Sequence, residues 1–194
     1  MMIVLGALVI SEKELLFKIP NPLYDKERRN MFALPGGKEG FMAKMTVYHG
    51  GYQPVEKPEI RVGRNTKDFG VGFYCTIIKE QAQRWAKRYQ KKIVSIYQVR
   101  LDSSLNIKDF KEMTDEWLDF IIDCRSGKPH NYDIVIGAMA NDQIYNFISD
   151  YMDGSITREQ FWALARFKYP THQINFCTDR ALKCLEYRGF EEVE

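Results

Sequence analysis

The chain is poor in the residues that build metal and disulfide sites. Its 194 residues include three histidines and four cysteines. Cys75, Cys124, Cys177 and Cys184 form no Cys-x-x-Cys pair, and the histidines lie far apart. No zinc-ligand spacing is present, so no metal is expected. The same sparse cysteines read as reduced thiols in a cytoplasm. No run approaches the roughly 20 apolar residues of a membrane helix. The apolar stretch from Met1 to Ile10 lacks a basic leader and runs into Ser11-Glu12-Lys13-Glu14 with no small-residue cleavage site. A secretory signal and a membrane partner are therefore not expected. Charge of one sign is also scarce. The net charge of +2 is too mild to argue by itself for nucleic acid or an anionic surface.

Hydrophobic residues make up 45% of the chain and charged residues 28%, a balance that supports a packed core. The length suits one domain plus an extension. Residues 1–41 sustain no amphipathic period and are punctuated by Pro20-Asn21-Pro22 and Pro35-Gly36-Gly37. Lys38-Glu39-Gly40 can be encoded by a ribosome-binding sequence, with Met42 and Met45 at start-codon spacing. Two readings stay open: a mis-assigned start, or a genuine N-terminal arm. Residues 42–194 form the domain.

Within it the pattern is regular. Strands are expected at Met45–Gly50, Gly72–Thr76, Ile93–Leu101, Tyr132–Gly137 and His172–Cys177, with an edge strand at Gly189–Val193. Ala82, Trp85, Ala86 and Tyr89 recur at helical spacing, which predicts a helix over Lys79–Lys92 with Trp85 on its apolar stripe. Thr114 caps a helix to about Arg125. Asn141 caps another that Gly154 ends. Thr157-Arg158-Glu159-Gln160 has the capping-box pattern, with Pro170 as the stop. Asp179–Arg188 reads as the last helix, stopped by Gly189. Strands and helices mix without a strict βαβ rhythm. The expectation is an α+β domain with a mainly antiparallel, split sheet and flanking helices.

Three segments carry candidate chemistry: Tyr48-His49-Gly50-Gly51, then Asp68-Phe69-Gly70-Val71-Gly72-Phe73-Tyr74-Cys75-Thr76, then His172-Gln173-Ile174-Asn175-Phe176-Cys177-Thr178. Each alone has an ordinary reading as a surface histidine, a glycine turn or a half-buried strand. Alternation puts Ile174 and Phe176 on one face of the third segment, with Gln173, Asn175 and Cys177 on the other. Arg84, Lys87, Arg88 and Lys91 make a basic stripe that reads as a solvated face, or as phosphate contacts to NAD or a nucleic acid. Arg125, near the end of its helix, reads as a surface residue or as a phosphate contact, and His130 as a loop residue.

In order and spacing the three segments resemble the diphtheria-toxin-like branch of ADP-ribosyltransferases, whose signature is a His, a Tyr and a Glu on three motif strands. The chain is most similar to an uncharacterised bacterial family of that clan, with a Tyr-His-Gly start and an Asp-Phe-Gly-x-Gly-Phe-Tyr-x-Thr second motif. The resemblance implies an NAD-dependent mono-ADP-ribosyltransferase, with an NAD glycohydrolase or a weakened NAD- or ADP-ribose-binding module as alternatives. It implies that His49 bonds a ribose hydroxyl and that the Gly50 backbone holds the nicotinamide carboxamide. Tyr74 would stack on the nicotinamide, and Thr76 would close the cofactor-binding motif. Trp85 stands where related enzymes place a second stacking aromatic, or else in the core. Gln173 would take the catalytic place of the Glu, keeping a hydrogen bond without the charge. The implied partners are NAD, an unknown protein or nucleic-acid acceptor, and a neutralising antitoxin protein.

Overall fold

The β-branched and aromatic run that opens the domain forms β1 (Met45–Gly51), with Met45 and Val47 buried on one side. The computed structural model describes residues 45–60, 67–140, 142–165 and 171–194. The extension 1–41, the cap at Asn141 and the stop at Pro170 lie outside the described residues.

The remaining strands are β2 (Phe73–Cys75), β3 (Ile93–Val99), β4 (Ile107–Asp109), β5 (Ile134–Gly137), β6 (Gln173–Phe176) and β7 (Leu185–Glu192). They form two sheets, ordered β1-β3-β7 and β2-β6-β5-β4, and every pairing is antiparallel except β4 with β5. The described helices are α1 (Lys79–Ala86), α2 (Asp115–Arg125), α3 (Asp142–Met152), α4 (Arg158–Leu164) and α5 (Asp179–Leu182). The fold is the expected α+β class with open, mainly antiparallel sheets.

Three packing layers follow from side-chain alternation. Val47, Tyr97 and Val99 of the first sheet meet Phe73, Ile134, Ile136, Ile174 and Phe176 of the second in one core. Val135, on the opposite face of β5, joins Trp117, Leu118, Ile121, Ile144, Ile148 and Phe161 in a second core under the helices. Both faces of β5 and β6 are therefore covered, and all their residues are buried. A third, smaller cluster seats Ala82 and Ala86 of α1 on Val94 and Tyr48, on the outer face of the first sheet.

Several expected elements differ in extent. Helix α1 ends at Ala86, well short of Lys92, and its buried residues are Gln81, Ala82 and Ala86. Trp85 is 41% exposed, so the apolar-stripe reading is corrected. The cause is the closeness of α1 to β1, which leaves room only for small side chains. The last helix, α5, spans four residues, and β7 begins at Leu185. Gly189 stands inside β7, at a positive φ of 127°, rather than stopping a helix. Strand β4 was not expected. No described helix is long and apolar enough to cross a membrane.

Candidate functional site

Beside their shared core, the facing edges of the two sheets meet at one backbone bridge and then part. Tyr48 on β1 and Thr76 just past β2 exchange backbone hydrogen bonds of 2.8 and 3.0 Å. Backbone polar groups of a strand point to alternate sides at each residue. Gly50 therefore presents its N–H and C=O on the same edge as Tyr48, and Tyr74 presents its own on the same edge as Thr76. Beyond the bridge, the His49 imidazole enters the gap. Its Nδ1 donates to the Tyr74 carbonyl at 2.7 Å, and its ring stacks on Phe73 with centroids 4.5 Å apart. A carbonyl oxygen can only accept, so Nδ1 carries the proton of this bond.

Gly50 has a packing reason to lack a side chain. An added Cβ would lie 2.2 Å from the Ala82 carbonyl oxygen of α1. The glycine lets α1 settle on β1, so its side-chain face belongs to the helix and only its backbone edge faces the split. Thr76 is buried, and its Oγ1 accepts from the Ile78 N–H at 3.0 Å, just ahead of α1. Its side chain is thus engaged in the turn into α1.

Tyr74 is half-buried. Its hydroxyl donates to the Gly70 carbonyl at 2.7 Å and accepts from the Phe69 N–H at 3.1 Å, so it ties down the loop before its own strand. Burial, with the nearby Asp68 carboxylate second, pushes the phenol above its ordinary value and keeps it neutral. The Lys67 ammonium lies over the ring, 4.9 Å from its centroid. A ring face that holds an ammonium there has the electronic character to hold a cationic pyridinium.

Gln173 opens β6 and is buried. Extending the β2–β6 register places it opposite Thr76. Its Nε2 donates to Asp68 Oδ2 at 3.0 Å and to the Ala138 carbonyl at 3.3 Å. Asp68 also accepts from Arg125 at 2.5 Å and from the Ala140 N–H at 2.9 Å. The Arg125 and Asp68 side chains are only 5% and 8% exposed. Arg125 is thus interior, and the surface reading is corrected: its guanidinium is drawn in by the carboxylate and stacks on Tyr145 at 4.1 Å. Neighbouring Asn175 donates to the Phe69 and Val71 carbonyls at 2.8 and 3.2 Å. Gly72, at φ +156°, is required by that clamp, because a Cβ would fall 2.0 Å from Asn175 Oδ1. His130 also reaches this loop, with Nε2 3.3 Å from the Phe69 carbonyl.

The structure therefore joins His49 to the backbone carbonyl of Tyr74, whose ring packs toward the helical core, and links Gln173 to the Tyr74 hydroxyl through the loop at Asp68–Gly70. Trp85 is not drawn into this set. It sits on the exposed side of α1 with the Arg88 guanidinium 4.3 Å over its ring. Asp68 is the member that the sequence did not single out, and Arg125 carried only the surface and phosphate readings. Asp68 heads the second motif, which was the available signal. The four cysteines are free thiols. Burial pushes Cys124 and Cys177 up to about 12, which leaves no thiolate nucleophile beside the site near neutrality.

A family model described as a protein of unknown function, DUF3990, matches residues 45–187. The chain belongs to the DUF3990 family. The match begins at the first residue of β1 and ends within β7, so all three motif segments of this DUF3990 domain fall inside it. No curated protein matches the chain.

Proposed function

We propose that this DUF3990 protein is an NAD-dependent mono-ADP-ribosyltransferase of the diphtheria-toxin-like type. One observation carries the reading: the sheets part at His49 and Tyr74, with the Gly50 backbone edge turned into the split. That edge offers one donor and one acceptor, the pair a carboxamide needs. The Tyr74 ring supplies an electron-rich face for nicotinamide, and the His49 imidazole, at the mouth of the split, suits a ribose hydroxyl.

The reaction breaks the nicotinamide–ribose bond, and the electron pair leaves with nicotinamide. The ribose carbon gains cationic character and is taken by a nucleophilic atom of the acceptor. Gln173 and Asp68 together take the place of the usual Glu: the amide is held in one orientation, and the carboxylate supplies negative potential from behind it. Asp68 is a positioning residue in this scheme. The membership of the clan, the toxin role and a neutralising antitoxin partner rest on the resemblance alone.

A second reading, an NAD- or ADP-ribose-binding module, is favoured by the engagement of the Gln173 amide with Asp68 and Ala138. Incubation with NAD labelled in the adenylate half separates the outcomes. Label on a macromolecule marks transfer, free ADP-ribose marks hydrolysis, and binding without turnover marks a module. His49→Ala should weaken NAD binding or turnover at least tenfold while circular dichroism is retained and melting falls by only a few degrees. NAD binding equal to the parent in His49→Ala would place the site elsewhere.

A further inference from the structure

The strongest unassigned surface lies on the exposed side of α1 and the turn that follows it. Residues 79–92 hold six lysines and arginines against one carboxylate, Glu80, while the whole chain nets only +2. The rest of the protein is therefore net negative, and the positive charge is concentrated here. Lys79 is spent on Glu191 at 2.7 Å. Among the described residues, Arg84, Lys87, Lys91 and Lys92 make no ion pair.

Aromatic rings stand among these cations. Tyr52, Trp85 and Tyr89 are 49%, 41% and 38% exposed. Tyr52 and Tyr89 stand 5.6 Å apart, and Trp85 already carries the Arg88 guanidinium on its face. Beside them a depression of about 400 Å³ is lined by Tyr52, Pro54, Lys91, Lys92 and Phe190, with Glu192 as its acidic residue. Exposed rings this costly to solvate, set between unpaired cations, match what a single strand presents: a base every step and a phosphate between bases. An acidic protein segment would satisfy the charges and leave the exposed rings without planar partners.

The geometry points to Tyr52, Trp85 and Tyr89, with Arg84, Lys87, Lys91 and Lys92, as a binding surface for single-stranded nucleic acid. Tyr52 follows directly on β1, two residues past Gly50, so a strand lying on this surface passes the mouth of the split. A role for that strand as the ADP-ribose acceptor rests on the transferase reading; the binding itself does not.

The test is fluorescence anisotropy of the full chain, without NAD, against labelled single-stranded RNA and DNA of roughly 12 nucleotides. Affinity is expected to fall as salt rises. The double variant K87E/K91E should bind at least tenfold more weakly with a shallower salt slope. Trp85→Ala and Tyr89→Ala should each bind about tenfold more weakly with the slope unchanged, since stacking releases no counterions. All these side chains are exposed, so melting temperatures should match the parent. Three results would overturn the proposal: no oligonucleotide binding, equal binding by the variants, or competition by polyglutamate as effective as by the strand. Where binding holds, labelled NAD is then added. Label on the oligonucleotide that is lost in K87E/K91E, with NAD breakdown retained, assigns the strand as acceptor. Binding without label leaves the surface in place and counts against the transferase reading alone.

Discussion

Asp68 gathers three donors: the Arg125 guanidinium, the Ala140 N–H and the Gln173 amide. That arrangement gives the Gln173 amide a structural partner that a glutamate could not keep. A carboxylate at 173 would face Asp68 Oδ2 at the 3.0 Å now spanned by an N–H···O bond. Sequence reasoning alone favours Gln173→Glu as an accelerating change, because a full charge opposes the developing cation. The structure changes that expectation. Two carboxylates so close repel, which raises the proton affinity of the introduced glutamate. A carboxyl whose folded value is raised supports folding below its unfolded value and loses that support as pH rises. Gln173→Glu should therefore cost more stability at pH 8 than at pH 5, by on the order of 1–3 kcal/mol. Urea titrations at both pH values measure it. A cost independent of pH would mean that Asp68 and residue 173 do not share this contact. Neither side-chain partner of Asp68 was legible in the sequence, since Arg125 and Gln173 lie far from it along the chain and nothing local marks the pairing.

Local grammar was legible at the scale of elements, and non-local pairing was not. Thr114 accepts from the Trp117 N–H, and the Thr157–Gln160 capping box is complete, because both depend only on residues within one turn. The segment from Asp179 has helical spacing as well, yet only Asp179–Leu182 is helical, and Leu185–Glu192 pairs with β3 along its length. The alternating burial of β7 was present in its sequence, but the edge of β3 that it satisfies was not. Trp85 has a similar history. Its spacing with Ala82 and Ala86 suggested a core position, while the true contact of α1 is set by how near Gly50 lets the helix come. Gly50→Ala tests that contact. A methyl 2.2 Å from the Ala82 carbonyl must push α1 away from β1. The expected cost is about 1–3 kcal/mol of stability, the range for overpacking. NAD binding should weaken together with it. Full stability in Gly50→Ala would show that α1 has room to move, and would return the glycine to a purely ligand-facing role.

The match to the family and the first strand among the described residues both begin at Met45. A chain begun at Met42 should then unfold cooperatively, with a midpoint within a few degrees of the full length by calorimetry. Loss of cooperativity would make the preceding segment part of the fold. The split between the sheets was legible only through the resemblance, because nothing in the alternation of β1 or β2 says that the two strands part after one bridge.

The whole molecule should also be sensitive to alkali in a way set by its buried thiols. Burial raises Cys75 well above its ordinary value and pushes Cys124 and Cys177 up to about 12, with Asp123 adding to Cys124, and Cys124 itself adding to Cys177. In the unfolded chain these thiols ionise near pH 8.5. A group whose folded value is raised stabilises the fold fully below the unfolded value. That contribution is lost as pH climbs from there toward about 12, because only the unfolded chain releases the proton. Each such thiol removes up to ~1.4 kcal/mol per pH unit across that window. Stability should therefore be nearly flat from pH 7 to 8 and fall steeply between pH 9 and 11. Under reducing conditions, the double variant C124A/C177A should start less stable, since one buried and one half-buried sulfur are lost, and then fall by a shallower slope. Parallel slopes for parent and variant would mean that these two thiols ionise as easily in the fold as outside it, and the alkaline loss would pass to the buried phenols of Tyr74 and Tyr97.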